Sequence, residues 1–344
     1  MRAKKAIIAA ILCLAVLLTG CVEKLVDPAK YITLGQYKGV AVTALSTEVT
    51  DEDIDNGVKT KLEAYVTYEP VTDRGIIVGD TANVDYTGFF EGETTPFEGG
   101  SAVAQDLVIG SAGLVPGFED QLVGLTIGEV KMIDVVLPSQ EGDIPASFEI
   151  KVNSIRQKIY PELTDDFAKT TLSVDSVVAF KETVKAELTE TKILQREEKL
   201  AQDAWTAAIA STTVMSLPED LVKDTRASLE AMYTSQAESY GITLEDFVTI
   251  LGGMDMAQFA VFLDDYAASS VTEELLARAI AKAEGLVAEA SEIDSLISYF
   301  MQQYGYTDKN TFYSQAMTRA EVETRILYEK AVQFVVENAV VTES

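Results

Sequence analysis

The sequence offers few of the side chains that usually carry out chemistry. It contains no histidine, and its two cysteines, Cys13 and Cys21, both lie close to the N-terminus. Catalysis by Ser-His-Asp or Cys-His groups is therefore excluded, and so are the usual zinc sites. We expect no metal and no cofactor. A reaction that an apolar pocket accelerates, without proton transfer at carbon or a covalent intermediate, remains open to such a chain.

The segment from Asp80 to Glu119 combines aromatic residues with closely spaced glycines. It contains four motifs in order, namely Asp85-Tyr86-Thr87-Gly88, Pro96-Phe97-Glu98-Gly99-Gly100, Leu107-Val108-Ile109-Gly110 and Leu114-Val115-Pro116-Gly117-Phe118-Glu119. This set resembles the FKBP-type peptidyl-prolyl isomerase domain in the version carried by trigger factor. The resemblance implies an antiparallel β-sheet wrapped on one short helix. It also implies peptidyl-prolyl cis-trans isomerisation in an apolar proline pocket that needs no acid or base.

The same resemblance assigns pocket roles to residues of this sequence. Four aromatic rings, two apolar residues at the edge of the floor and one acidic residue would line the pocket: Tyr86, Phe97, Phe118 and Phe148, then Leu114 and Val115, then Glu98. Phe118 would lie on the short helix, and backbone groups of Val115 would lie near the substrate.

Two departures from the family pattern weaken the expected activity. Gln105 stands where an aromatic residue usually precedes the Leu107–Gly110 motif. The loop after Pro138 is short, and no tyrosine lies between Pro138 and Phe148. The family normally has a longer flap there, with a tyrosine that donates a hydrogen bond to the substrate carbonyl. The domain is therefore expected to be a slow isomerase or only a binding pocket.

The N-terminal residues resemble the signal segment of a bacterial lipoprotein. Three basic residues precede an apolar run from Ala6 to Leu18, which is short for a membrane span. The run ends in Leu18-Thr19-Gly20-Cys21, which resembles a lipobox. The resemblance implies removal of residues 1–20, lipidation of Cys21 and a location on the extracytoplasmic face of the cell membrane. An ordinary signal peptide and a short anchor helix are the alternatives.

Residues 21–70 are predicted to form a lead-in of one or two strands between Tyr31 and Ala44, followed by a linker helix. Thr50-Asp51-Glu52-Asp53 is a capping box with acidic residues at the helix N-terminus. The run Thr50–Asp55 also resembles part of a calcium-binding loop, but its glycine and closing glutamate are misplaced, so a solvated helix cap is favoured. The piece resembles the arm before the isomerase domain of trigger factor. It leaves no room between Cys21 and Thr50 for the ribosome-docking domain, so no ribosome binding is expected.

Residues 71–158 are predicted to be a β-rich domain with strands at Thr81–Tyr86, Asp106–Ile109, Val130–Leu137 and Ala146–Ile155 and one helix over Val115–Leu122. Residues 159–344 are predicted to be all-α. Neither glycine nor proline occurs between Pro161 and Pro218, and apolar residues at helical spacing predict a long helix from Val177 to Ile209. Further helices are predicted to begin at a Ser216 cap, at Thr243, at Met256, at a Ser291 cap, and to cover Lys309–Asn338. Tyr160-Pro161-Glu162-Leu163-Thr164 resembles the start of the trigger factor C-terminal chaperone domain, which is SurA-like. The fold class is therefore α+β.

Together these features predict a foldase for unfolded or newly secreted polypeptides that contain X-Pro bonds. The net charge of −28 argues against nucleic acid as a partner. A client-binding surface is predicted on the helices from methionine and aromatic residues: Met232, Met254, Met256, Met301, Met317, Tyr299, Phe300 and Tyr304. The alternatives are a non-enzymatic holdase with a vestigial pocket and a lipoprotein that binds one dedicated partner.

Overall fold

The computed structural model describes residues 26–138 and 143–343, which form two compact units. The sheet unit comprises Val49–Leu188, and the helical unit combines the residues up to Glu48 with those from Thr189 onward. The proposed signal peptide, Cys21 and most of the loop after Pro138 lie outside the described residues. The predicted segments 21–70, 71–158 and 159–344 stay predictions.

The strands and helices take their bounds from the described residues. The strands are β1 (Ile32–Thr33), β2 (Ala41–Ala44), β3 (Thr67–Pro70), β4 (Thr81–Phe90), β5 (Ser101–Val108), β6 (Val130–Leu137), β7 (Ile144–Ile159), β8 (Thr213–Val214) and β9 (Val340–Glu343). The helices are α1 (Asp51–Leu62), α2 (Asp165–Thr170), α3 (Val177–Ser211), α4 (Glu219–Ser239), α5 (Leu244–Gly252), α6 (Met256–Glu284), α7 (Ala290–Tyr304), α8 (Lys309–Gln315) and α9 (Arg319–Glu337). Short 3₁₀ turns cover Pro28–Lys30, Glu63–Tyr65 and Asp120–Leu122.

The sheet unit is built on an antiparallel sheet in which β7 is the central strand. The order is β3-β7-β4-β5, and β6 also pairs with β7. Alternate residues of β7, from Ala146 through Phe148 and Ile150 to Val152, are buried, because successive side chains point to opposite faces of a strand. The next buried residue is Ile155, and this break in alternation coincides with a register shift opposite Asn83 and Val84.

The β-rich prediction is confirmed and the helical one beside it is wrong. The four predicted strands coincide with β4 to β7, although β4 and β7 run further than predicted and β5 begins earlier. The predicted helix over Val115–Leu122 is absent except for the 3₁₀ turn at its end. Pro116 lacks an N–H, and Gly117 has a φ of 80°, which lies outside the right-handed helical region.

Helix α1 begins at the predicted capping box and packs against the start of α3. Thr50 accepts a hydrogen bond from the Asp53 amide, and the Asp53 carboxylate accepts one from the Thr50 amide. A Cβ on Gly57 would lie 2.7 Å from Val184 Cγ1, so the glycine allows the two helices to approach closely. Among the described residues, no group of acidic side chains has the arrangement of a metal site.

The helical unit contains two small strand pairs. The strands predicted between Tyr31 and Ala44 are confirmed as β1 and β2, but the all-α prediction missed their partners β8 and β9. Strand β1 pairs antiparallel with β8, and β2 pairs in parallel with β9. These pairs join the N-terminal segment to the chain between α3 and α4 and to the chain after α9. Its buried residues, including Ile32 and Val42, share one core with Trp205 of α3, Leu275 of α6 and residues of α9.

Local capping signals predicted some helix starts correctly and others wrongly. Thr243 caps α5 as predicted. The predicted Ser216 and Ser291 caps are wrong, because Pro218 and Glu289 occupy the N-cap positions of α4 and α7. The predicted last helix is two helices, α8 and α9, because Thr318 forms a capping box that starts a new helix. Within residues 26–138 and 143–343, no helix is both long and apolar enough to span a membrane.

Gly35 provides a test of how tightly the N-terminal segment is joined to the helical unit. An added Cβ at Gly35 would lie 1.9 Å from the Ser211 carbonyl oxygen at the end of α3. We expect Gly35→Ala to lower the free energy of unfolding of this unit by about 3 kcal/mol, since backbone must move to accept the methyl group. Denaturant titration followed by the fluorescence of Trp205, the only tryptophan and a core residue of this unit, measures the change.

Gly39→Ala is the matched control for that substitution. Gly39 has a φ of 70°, but its Cβ would meet only Gln36 Nε2, at 3.8 Å. Its expected cost is the backbone strain alone, about 1 kcal/mol. Equal losses from the two substitutions would contradict the packing of Gly35 against α3.

Candidate functional site

Four of the predicted pocket residues form one aromatic cluster in the sheet unit. The ring of Phe148 lies at the centre, with centroid distances of 5.2 Å to Phe118, 5.7 Å to Phe97 and 6.0 Å to Tyr86. Tyr86 and Phe118 are 6.2 Å apart. All four contacts are edge-on, the arrangement that aromatic quadrupoles favour.

The sheet register and one turn position these rings. Tyr86 on β4 lies opposite Ile150 on β7, and Gly88 lies opposite Phe148. The side chains of Tyr86 and Phe148 therefore face the same side of the sheet. Phe118 follows the left-handed Gly117, and its amide donates to the Val115 carbonyl at 3.1 Å. Phe118 is buried, while Tyr86 is half-buried.

Two glycines make room for the ring of Phe97. A Cβ on Gly88 would lie 2.7 Å from that ring and 2.6 Å from the ring of Phe148, and a Cβ on Gly100 would lie 2.4 Å from the ring of Phe97. The Phe97 amide donates to the Gly88 carbonyl at 3.1 Å, and the Gly100 amide donates to the Phe97 carbonyl at 3.1 Å. Any larger residue at Gly88 or Gly100 would displace the ring.

Phe90 is a fifth ring of the cluster that the motif comparison did not identify. It stacks on Phe97 with a centroid distance of 4.5 Å and an interplanar angle of 17°. The signal in the sequence is its spacing, since Tyr86, Gly88 and Phe90 alternate along one strand and must share a face. Phe89 points to the opposite face.

The other three predicted pocket residues are placed differently. Val115 is half-buried and packs against the sheet core, whereas Leu114 is exposed. Glu98 is exposed, so it is not the buried acid of this region. That position belongs to Glu119, directly after Phe118, which is only 7% exposed.

The surroundings of Glu119 favour its charged form. Burial alone would raise the pKa of the Glu119 carboxyl, but hydrogen bonds from the Ser111 hydroxyl and from the amides of Gly110, Ala112 and Gly113 outweigh this effect and lower the pKa. The group is therefore a carboxylate at neutral pH. It cannot donate a proton to a reacting group there.

The two departures from the family pattern, Gln105 and the loop without a tyrosine, still weaken the expected isomerase activity. Gln105 is exposed on β5, so no ring closes the cluster at that position. Residues 139–142 of the shortened loop lie outside the described residues, and the sequence places no tyrosine between Pro138 and Phe148.

Comparison with known proteins places both units in a family. Residues 74–154 match the model of the FKBP-type peptidyl-prolyl cis-trans isomerase, and residues 176–337 match the model of the bacterial trigger factor C-terminus. The trigger factor of Agathobacter rectalis is 31% identical over 313 residues, covering 89% of this chain and 70% of that protein. Those of Acetivibrio thermocellus and a Geobacillus species are 30% and 32% identical, each covering 90% of this chain and 72% of the relative.

The chain belongs to the trigger factor family. The resemblance seen in the sequence is therefore confirmed for the isomerase and the C-terminal domains, and so is the α+β fold class. The chain is a trigger factor-like chaperone with an FKBP-type isomerase domain. The roles of the individual pocket residues stay predictions.

The stacked ring of Phe90 predicts a measurable share of the isomerase activity. We expect Phe90→Ala to reduce kcat/KM up to roughly tenfold, since an aromatic pair contributes about 0.5–1.5 kcal/mol beyond the area that it buries. Phe89→Ala is the matched control, because it removes an adjacent half-buried ring from the opposite face. Cis-to-trans exchange of a proline peptide, measured on the full chain, gives both values. Equal losses in the two variants would show that Phe90 acts only through stability.

Proposed function

We propose that this chain is a lipid-anchored foldase that works outside the cytoplasmic membrane, isomerising X-Pro bonds and holding unfolded polypeptides. The observation that carries the isomerase part is the cluster of Tyr86, Phe97, Phe118 and Phe148, with Phe90 behind it. The chaperone part rests on membership of the trigger factor family and on the exposed apolar side chains of the helical unit.

An aromatic cluster suits isomerisation because of the nature of the barrier. Rotation about an X-Pro bond meets about 18–20 kcal/mol, since the planar amide is stabilised by resonance. The twisted amide has lost this resonance and is less polar, so an apolar site binds it better than the planar form. The rings of Tyr86, Phe97, Phe118 and Phe148 supply such a surface, and the reaction transfers no proton at carbon.

The helical unit exposes apolar side chains that are suited to client binding. Tyr240 at the end of α4 is 64% exposed and stacks on Phe247 of α5, while Ile250 of α5 is 70% exposed and Val261 of α6 is 59% exposed. Exposed apolar patches commonly mark interaction sites. We therefore assign client capture to the α4–α6 region.

The predicted methionine-rich surface is smaller than expected. Met232 and Met254 pack against the core formed by α4, α5 and α6, and Met301 and Met317 pack against the core of α7 to α9. Phe300 is buried in the latter core. Within the predicted set, the exposed side chains are those of Met256, Tyr299 and Tyr304.

Two variants of the full chain should separate the two activities. Phe97→Ala should lower kcat/KM for a proline peptide at least about tenfold and still protect a proline-free client from aggregation, since capture uses the helical unit. The double variant Tyr240→Ser, Ile250→Ser should weaken protection and leave isomerisation unchanged. Val103→Ser is the control, because Val103 is a strongly exposed valine of the sheet unit.

The outcome of this experiment distinguishes the candidate functions. A folded wild-type chain that gives no acceleration at high concentration would favour the holdase, which the missing flap tyrosine supports. Loss of both activities in both variants would contradict the division of labour between the units.

The anchoring proposal rests on the sequence of residues 1–21. A cysteine directly after small residues, at the end of an apolar run, has the position required for acylation of its thiol. Each buried CH₂ of an acyl chain contributes about 0.8 kcal/mol to membrane binding, so several chains on Cys21 would hold the protein firmly. We propose further that the chain acts away from ribosomes, since a protein anchored on the outer side of the cytoplasmic membrane would not meet them.

Cys21→Ala should abolish lipidation and release the protein from the membrane fraction. Intact-mass analysis of the native and variant proteins, together with membrane fractionation, measures both effects. Cys13→Ala is the control, because Cys13 lies in the segment that cleavage would remove. Native protein found in the cytosol with residues 1–20 intact would overturn the anchoring proposal.

A further inference from the structure

Glu119 connects the floor of the aromatic cluster to the loop at its edge. One carboxylate oxygen accepts hydrogen bonds from the amides of Gly110, at 2.7 Å, and Ala112, at 3.2 Å. The other accepts from the Ser111 hydroxyl at 2.9 Å and the Gly113 amide at 3.1 Å. One donor from each of four successive residues thus converges on one side chain, while the Ser111 amide donates to the Val108 carbonyl at 3.3 Å.

The backbone of this loop needs such an acceptor. Gly110 has a φ of 86°, and Ala112 has a φ of 53°, a left-handed value that is strained for a residue with a Cβ. The turn directs the amides of Gly110, Ala112 and Gly113 toward the buried Glu119 carboxylate. Without the carboxylate, these amides would lose a charged acceptor, and hydrogen bonds to charged groups are stronger than those between neutral groups.

The loop leads directly into the predicted edge of the pocket. Gly113 is followed by Leu114 and Val115, and the Val115 carbonyl accepts the hydrogen bond from the Phe118 amide. Glu119 follows Phe118, so its hydrogen bond from the Gly110 amide closes a loop from Gly110 to Glu119. One end is fixed by the buried ring of Phe118, and the other by the carboxylate.

We propose that Glu119 is a positioning residue for prolyl isomerisation: by holding the Gly110–Gly113 loop, it fixes Leu114 and Val115 at the edge of the aromatic pocket. This inference rests on the proposed isomerase function. Glu119 does not touch the substrate, and Glu98, which the family pattern suggested as the acidic residue, is not needed for this role.

Glu119→Gln tests the proposal with little change in side-chain volume. The amide keeps one oxygen acceptor, but its NH₂ group would face the backbone donors that the second oxygen now accepts. We expect the loop to shift and KM for a proline peptide to rise about tenfold, because misplacement of a binding edge weakens substrate contacts. Hydrogen exchange of the Gly110, Ala112 and Gly113 amides should accelerate in the same variant.

The distribution of the effect between KM and kcat separates positioning from stability. A variant that was only less folded would contain less active enzyme, so its apparent kcat would fall while KM stayed constant. Ser111→Ala, which removes one of the four donors, should raise KM by a smaller factor. It also keeps the proposal testable if Glu119→Gln does not fold.

Glu129→Gln is the control for a carboxylate that holds a turn elsewhere in the sheet unit. Glu129 accepts hydrogen bonds from the Thr126 amide and hydroxyl and is not part of the pocket. Its KM and kcat should equal those of the wild type. An active wild type whose KM is unchanged in both Glu119→Gln and Ser111→Ala would overturn this inference alone, whereas an inactive wild type would overturn the proposed function.

Discussion

The candidate site depends on the pairing of β4 with β7. This pairing sets Gly88 opposite Phe148 and directs Tyr86, Gly88 and Phe90 to the same face. The missing side chain of Gly88 leaves the space that the rings of Phe97 and Phe148 fill. A shift of one residue in the register would turn Tyr86 and Phe90 away from the cluster and bring Phe89 toward it. The alternation of buried residues along β7 fixes this register. The geometry of the aromatic cluster therefore follows from the packing of the sheet core.

The helical unit depends on contacts between residues that are distant in the sequence. In its N-terminal segment, β1 pairs with β8, which begins at Thr213, and β2 pairs with β9, which begins at Val340. Arg196 of α3 donates to the Leu45 carbonyl and forms an ion pair with Glu343, so one side chain joins both strands of the β2–β9 pair to a helix. Trp205 shares one core with Ile32 and Val42 of the N-terminal segment and with Val335 of α9, so both of these segments are part of the packing of this unit.

The parts of this fold that were predictable from sequence are those encoded locally. Thr50 and Thr243 each precede an acidic residue at the third following position, and both cap helices as predicted. Strands β8 and β9 were missed because two to four β-branched residues carry no periodicity, and their partners lie far away in the chain. Ser216 and Ser291 were wrongly predicted as N-caps, because Pro218 and Glu289, each two positions away, occupy the N-cap positions.

The residues of the candidate site show the same difference between features encoded locally and features that depend on distant contacts. Tyr86, Phe97 and Phe118 were predicted from motifs and Phe148 from its place in the family pattern. Phe90 is indicated only by its alternation with Tyr86 and Gly88, and Glu119 is identified only by contacts that the fold creates. Glu98 was chosen by its position in a motif, but the structure leaves it exposed. A carboxylate becomes a buried group only where donors converge on it, and the sequence does not show that Gly110, Ser111, Ala112 and Gly113 turn toward Glu119.

In the proposed isomerase, the absence of a flap tyrosine would give the edge of the pocket a larger part in catalysis. Without a side chain that donates to the substrate carbonyl, discrimination between the twisted and planar amide must come from apolar surface and from backbone groups. Backbone groups can contribute only where their position is fixed before the substrate arrives, because their ordering would otherwise consume binding energy. In this chain that position is set by four hydrogen bonds to Glu119 on one side and by the ring of Phe118 on the other. A shortened flap and a firmly held edge are therefore consistent features of the proposed pocket, in which packing and not closure would hold the proline.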